Sequence, residues 1–203
     1  MTQVVVIDYG MGNLHSVSKA VQAVSSSESI VISSDKDVIK AADKLVFPGV
    51  GAIKDCMDAF SVDLRGTVLE EIHKKPTLAI CVGMQMLLKS SEENGGVDCF
   101  DILDGKVTKI KASKEIKVPH MGWNRVKFLK EHVLLENIPD SSFFYFVHSY
   151  CCSSSEDALA ETTHGESFIS CLAKDNIFAV QFHPEKSQDM GLELYRNFLN
   201  WNI

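Results

Sequence analysis

The sequence has no excess of positive charge: 20 Lys and Arg stand against 27 Asp and Glu, a formal net charge of −7 with histidine neutral. Its longest basic run is the pair Lys74-Lys75. Phosphate affinity needs clustered cations, so a general nucleic-acid binder is excluded. No stretch approaches the roughly eighteen apolar residues of a membrane helix, and Met1-Thr2-Gln3 places no basic segment ahead of an apolar one. Neither a membrane span nor a secretory leader is expected, which places the chain in the cytoplasm. Six cysteines are present but no Cys-x-x-Cys, and the adjacent Cys151-Cys152 suits neither a disulfide nor a zinc site. Free, buried thiols are expected. Internal repeats and long linkers are missing too, and only Ser25-Ser26-Ser27 is of low complexity, so residues 1–203 read as one domain.

What is present is ordinary globular composition, 45% hydrophobic and 23% charged, in a chain long enough to bury roughly 70% of its unfolded surface. Val4-Val5-Val6-Ile7 is a short β-branched run stopped by Asp8-Tyr9-Gly10, after which Val17, Ala20, Val21 and Val24 recur at helical spacing. The alternation continues through Ile30-Val31-Ile32, Leu45-Val46-Phe47, an amphipathic stretch around Val68, Leu69 and Ile72, and Leu78-Ala79-Ile80. Short apolar strands separated by helices predict a mostly parallel sheet covered on both faces. Beyond Gly95-Gly96 the strands Phe143 to Val147, Phe168 to Leu172 and Phe178 to Phe182 crowd together with turn residues between them. They predict an antiparallel set joined to the parallel sheet, before a last helix carrying Leu192, Tyr195 and Phe198-Leu199. The fold class is therefore mixed α/β.

Gly10-Met11-Gly12 sits where a dinucleotide fingerprint would, but its third glycine position is His15. The fingerprint fails, leaving a tight turn with Asn13 or Ser16 as helix cap. The stronger signal is Leu78-Ala79-Ile80-Cys81-Val82-Gly83, an apolar strand running into a cysteine with a helical pattern starting at once. Small neighbours and a sharp turn make this the cysteine counterpart of a nucleophile elbow. The helix N-terminus there favours a thiolate and offers N–H groups to a developing oxyanion. A base is available at His183-Pro184-Glu185-Lys186-Ser187, where Glu185 can orient the His183 ring. Pro48-Gly49-Val50-Gly51, after another strand, exposes backbone N–H groups suited to an oxyanion hole. All three belong at one sheet edge, the arrangement that acyl transfer through a thioester requires.

These residues resemble the class I (triad) glutamine amidotransferases, whose fold is flavodoxin-like. Asp8-Tyr9-Gly10-Met11-Gly12-Asn13, Ser90-Ser91-Glu92-Glu93, Pro119-His120-Met121-Gly122-Trp123-Asn124 and Phe144-Tyr145-Phe146-Val147-His148-Ser149-Tyr150 are similar to the glutaminase subunits of imidazole glycerol phosphate synthase. The resemblance runs from Asp8 to the last helix. It implies that Cys81 attacks the glutamine amide, that His183 activates the thiol and protonates departing ammonia, and that Glu185 holds His183. It further implies oxyanion donors at Gly49, Val50, Gly51 and Val82, and a glutamine pocket at Gln85, Glu92, His148, Ser149 and Tyr150. Asn13, Trp123 and Lys186 would face a separate cyclase subunit, in a heterodimer whose barrel receives the ammonia and forms imidazole glycerol phosphate and aminoimidazole carboxamide ribotide in histidine biosynthesis. No cofactor and no metal are implied. A switchable oxyanion strand is expected, such that a β-branched residue at Gly49 or Gly51 impairs stimulated turnover more than folding. Two other readings remain open: ammonia supply for sugar amidation in surface-polysaccharide biosynthesis, and a stand-alone cysteine amidohydrolase. An intact Cys81, His183 and Glu185 set argues against a purely regulatory binding module.

Overall fold

The computed structural model describes residues 2–203. Its first part alternates strand and helix: β1 (Gln3–Ile7), α1 (Leu14–Val24), β2 (Ser29–Ser33), α2 (Lys36–Ala41), β3 (Lys44–Gly49), α3 (Ile53–Ala59), α4 (Val62–Ile72), β4 (Thr77–Cys81) and α5 (Val82–Leu87). The second part is strand-rich: β5 (Ser90–Ser91), β6 (Val97–Asp98), β7 (Lys106–Lys109), β8 (His120–Phe128), β9 (Ser142–His148), β10 (Tyr150–Cys152), β11 (Ala158–His164), β12 (Glu166–Lys174), β13 (Ile177–Val180) and the closing helix α6 (Gln188–Asn200). Asp35 and Ser61 start α2 and α4 by accepting backbone N–H groups with their side chains.

Five strands form a parallel array in the order β2-β1-β3-β4-β13. Every residue of β3, β4 and β13 is buried, which requires cover on both faces; α1 packs with α6 and α2 with α4. From β13 the sheet turns antiparallel through β12, β10 and β7, while β11 branches from β12 and leads through β8 to β9. Lys44 of β3 is itself buried, and its ammonium donates to the carbonyls of Phe198 and Trp201, closing the C-terminal end of α6. Burial lowers its pKa.

The strand Phe178 to Phe182 differs from the reading that grouped it with the antiparallel set. It ends at Val180 and pairs in parallel with β4, being antiparallel only to β12. The physical reason is its position: it is the seam between the two pairing modes, buried on both sides like the strands before it. The strand over Phe143 to Val147 forms, but it reaches the sheet only through β8, which no sequence period announced. All six cysteines are free and buried. Among the described residues, no helix is long and apolar enough to cross a membrane, and no group of three or more His, Cys, Asp or Glu is placed to hold a metal ion.

Candidate active site

The carboxyl ends of β3, β4 and β13 open into a cleft of about 510 Å³, the place where an open α/β sheet gathers its chemistry. Cys81 ends β4 and begins α5 with φ 54° and ψ −111°, a region that costs a non-glycine residue roughly 1–3 kcal/mol. This strain is sustained by close packing below it. A Cβ on Gly83 would strike the Phe47 carbonyl, and one on Gly49 would stand 2.5 Å from the Gly83 backbone nitrogen. Small residues at both places let β3 approach the start of α5, so the sulfur is raised over the sheet edge.

His183 follows β13 by three residues and is pinned through its main chain. Its N–H donates to the Tyr145 carbonyl at 2.9 Å, and its carbonyl accepts the Ser187 hydroxyl at 2.6 Å. Ser187 in turn accepts the Tyr145 N–H at 3.0 Å. Pro184 opens a short 3₁₀ turn that folds Glu185 back, and its Oε1 accepts His183 Nδ1–H at 2.8 Å. A carboxylate accepts only, so the proton is on Nδ1 and Nε2 is left for the thiol. Nε2 is buried and makes no hydrogen bond. Burial opposes charge on this ring, yet the neighbouring Cys81 and Glu185 outweigh it and raise the His183 pKa to about 10, so the ring is held charged once Nε2 has taken the thiol proton.

Val50 and Gly51 line the cleft beside Cys81 and Val82. Gly51 has φ +94° and open surroundings, where a Cβ would meet only the flexible Met11 tip at 3.4 Å, whereas Gly49 is hemmed by backbone. The expectation that both glycines matter more for turnover than for folding is therefore corrected for Gly49, where packing forbids a side chain. Beneath this loop, buried Tyr9 donates its hydroxyl to the Pro48 carbonyl at 2.8 Å and stacks on Phe60. The Cys56 thiol donates to the Val50 carbonyl at 3.3 Å, and burial raises its pKa.

Of the glutamine-pocket candidates, Gln85, His148, Ser149 and Tyr150 line the cleft. Glu92 does not. Its N–H donates to the Val107 carbonyl and its Oε2 accepts Lys109 N–H at 3.2 Å, on the far side of the turn. Glu93 lines the cleft instead, with Oε2 accepting Ile53 N–H at 2.9 Å. The 3₁₀ turn at Glu93–Gly95, with Asn94 at φ 55°, sets which of two adjacent carboxylates faces in. Asn13 and Lys186 stand on the cleft wall, and the Lys186 ammonium lies 5.6 Å over the Tyr145 ring, which meets Trp123 edge-on at 6.1 Å. Asn13 occupies the N-cap position of α1 but its side chain caps nothing, so the capping expectation is corrected.

Three residues of this neighbourhood escaped the sequence reading. His120 donates Nδ1–H to His148 Nε2 at 2.9 Å, while His148 Nδ1–H donates to the Tyr150 carbonyl at 2.8 Å, which fixes the tautomers of both rings. Burial lowers their pKa values to about 3 and about 4, so both rings are neutral. Glu93 is the second and Gln181 the third. A polar residue inside the apolar run Phe178 to Phe182 was the available signal for Gln181.

The family model of the class I glutamine amidotransferases matches residues 5–201. The chain is 49% identical to the imidazole glycerol phosphate synthase subunit HisH of Hydrogenovibrio crunogenus, covering 98% of this chain and 96% of that protein. It is 51% identical to the HisH subunit of Nitrosococcus oceani, covering 100% and 99%. Among solved structures, PurLQS from Thermotoga maritima superimposes with a TM-score of 0.73 at 15% identity, covering 98% of both chains, a likeness of fold alone.

Proposed function

The chain belongs to the class I glutamine amidotransferases, and on that premise we propose that its cleft hydrolyses glutamine at Cys81 and hands the ammonia to a cyclase subunit of imidazole glycerol phosphate synthase in histidine biosynthesis. The observation that carries the reading is the juxtaposition in one cleft of strained Cys81 with His183, whose Nδ1 is held by Glu185. Residues 1–203 serve as one amidotransferase domain, in the cytoplasm.

The chemistry follows from the geometry. His183 Nε2 takes the Cys81 thiol proton, the sulfur attacks the side-chain amide carbon of glutamine, and the amide oxygen takes the negative charge. Backbone N–H groups of Val82 and of the Gly49-Val50-Gly51 loop receive that oxyanion. The C–N bond breaks as His183 delivers a proton to the leaving nitrogen, giving ammonia and a thioester. Water, deprotonated by His183, then attacks the thioester carbon and releases glutamate and the thiol. Glu185 keeps the ring in the tautomer that both half-reactions need. Gln85, Glu93, His148, Ser149 and Tyr150 form the glutamine pocket, with the Glu93 carboxylate suited to the substrate ammonium.

Ammonia released to water at neutral pH is protonated and useless as a nucleophile, so an acceptor must be docked at the cleft. The surface beside it suits docking: Met121 and Trp123 of β8 and Phe143 of β9 are 62%, 45% and 49% exposed on one face of the β8–β9 pair. A contiguous apolar strip of this kind marks an interaction site. Asn13, Trp123 and Lys186 are assigned to that contact. The test is glutamine hydrolysis by the chain alone, then with the cyclase subunit and its nucleotide ligand, with Cys81→Ala as control. Weak activity alone, strong activity in the complex and none in the variant are expected; full activity without a partner would overturn the gated-donor reading in favour of a stand-alone amidohydrolase.

A further inference from the structure

Gln181 lies one residue beyond β13, is wholly buried, and has no part in the chemistry above. Its amide orientation is forced. The Tyr150 carbonyl can only accept, so Gln85 Nε2 is the donor there, at 2.9 Å. The second N–H of Gln85 goes to Gln181 Oε1, also at 2.9 Å. Gln181 Nε2 is thereby turned toward Cys81 Sγ, 3.7 Å away. The carbonyl that anchors this relay also accepts His148 Nδ1–H, so the relay is held from two directions.

We infer that Gln181 is a positioning residue for the nucleophile, donating an amide N–H to the Cys81 sulfur and holding it in the attacking orientation. A sulfur carrying negative charge accepts such a bond more strongly than a neutral thiol, so the contact favours the reactive form. A side chain needed only to accept the Gln85 N–H would be replaced better by glutamate, which keeps that acceptor, than by methionine, which has none. A donor to the sulfur reverses that order, because a carboxylate sets an acceptor and a negative charge against the nucleophile. The effect on turnover rests on the glutaminase reading; the effect on the thiol does not.

The experiment measures alkylation of Cys81 by iodoacetamide at fixed neutral pH in the full chain, for the unmodified protein, Gln181→Met and Gln181→Glu, with thermal unfolding of each. Steady-state kcat and KM for glutamine are then measured in the cyclase complex. Alkylation is expected to slow roughly tenfold in Gln181→Met and further in Gln181→Glu, with kcat falling in the same order and KM within about twofold. Equal alkylation in all three proteins, or Gln181→Glu outperforming Gln181→Met, would overturn the inference. If the Gln181 variants fail to fold, Gln85→Met replaces them: it frees the Gln181 amide to turn, and unchanged alkylation there would overturn the inference as well. Because alkylation needs no glutamine, a chain that turned over no glutamine yet lost thiol reactivity in Gln181→Met would sink the glutaminase reading and keep this one.

Discussion

Gly49 and Gly83 lie back to back, a Cβ on the first standing 2.5 Å from the backbone nitrogen of the second. The loop proposed to offer oxyanion donors and the helix start that follows Cys81 are thus packed too closely for a side chain between them.

Gly83→Ala drives a methyl into the Phe47 carbonyl, a backbone atom that cannot swing aside. A loss of roughly 1–3 kcal/mol is expected, seen as a fall of several degrees in Tm, together with loss of glutaminase activity. At Gly51 a Cβ would meet only the Met11 tip, so Gly51→Val is strained chiefly by its positive φ. Its Tm should fall less, while stimulated turnover falls more than about tenfold. Thermal melts and glutaminase assays on both variants decide the point; equal damage to stability in the two would contradict the packing.

Glu185→Gln keeps the shape and removes the charge that holds His183 Nδ1–H. The amide can present its own N–H to the ring and so favour the wrong tautomer. A kcat loss of about 10²–10⁴ with little change in KM is expected from steady-state kinetics in the cyclase complex.

Glu93→Gln and Glu92→Gln separate two adjacent carboxylates. The first should raise KM for glutamine about tenfold, the worth of one charge-assisted bond to the substrate ammonium. The second should change it by less than about twofold, because Glu92 faces the β7 backbone. The reverse ranking would restore Glu92 to the pocket.

Acid should weaken the fold through His120 and His148. Their pKa values are lowered in the folded chain, to about 3 and about 4, from an ordinary 6.5 when unfolded. Above pH 6.5 both states leave these rings neutral; below it the unfolded chain binds protons that the fold refuses. Stability is therefore lost as pH falls from about 6.5 toward 4, by at most ~1.4 kcal/mol per pH unit for each ring. Urea midpoints between pH 7 and 4 measure the slope, and His120→Gln should flatten it.

Much of this architecture is legible in the residues because burial on both faces leaves a plain mark. Val4 to Ile7, Leu45 to Phe47 and Leu78 to Ile80 are unbroken apolar runs, and all are strands of the parallel array. Cys81, His183 and Glu185, which the fold brings to one cleft, could be singled out because a cysteine at a strand end followed at once by helix, and a His-Pro-Glu turn after another strand, are local patterns. What was illegible depends on neighbours distant in the chain. Strand β8 alternates exposed with less exposed positions without a break, but His120, Gly122 and Asn124 stand at inward positions while apolar Met121 and Trp123 face out, so no apolar period marks it. Whether Glu92 or Glu93 faces the cleft is set by one turn. Gln181 gains meaning only once β13 lies beside β4, which places it over a sulfur one hundred residues earlier.

That pairing has a consequence for a chain during synthesis. Cys81 is translated and its strand can form long before β13, with His183 and Glu185 behind it, leaves the ribosome. Lys44 of β3 likewise waits for the last turn of α6 to cover its ammonium. Until residues 183–185 are in place, a nascent or truncated chain therefore carries Cys81 without His183 and Glu185, and on the proposed mechanism it spares glutamine.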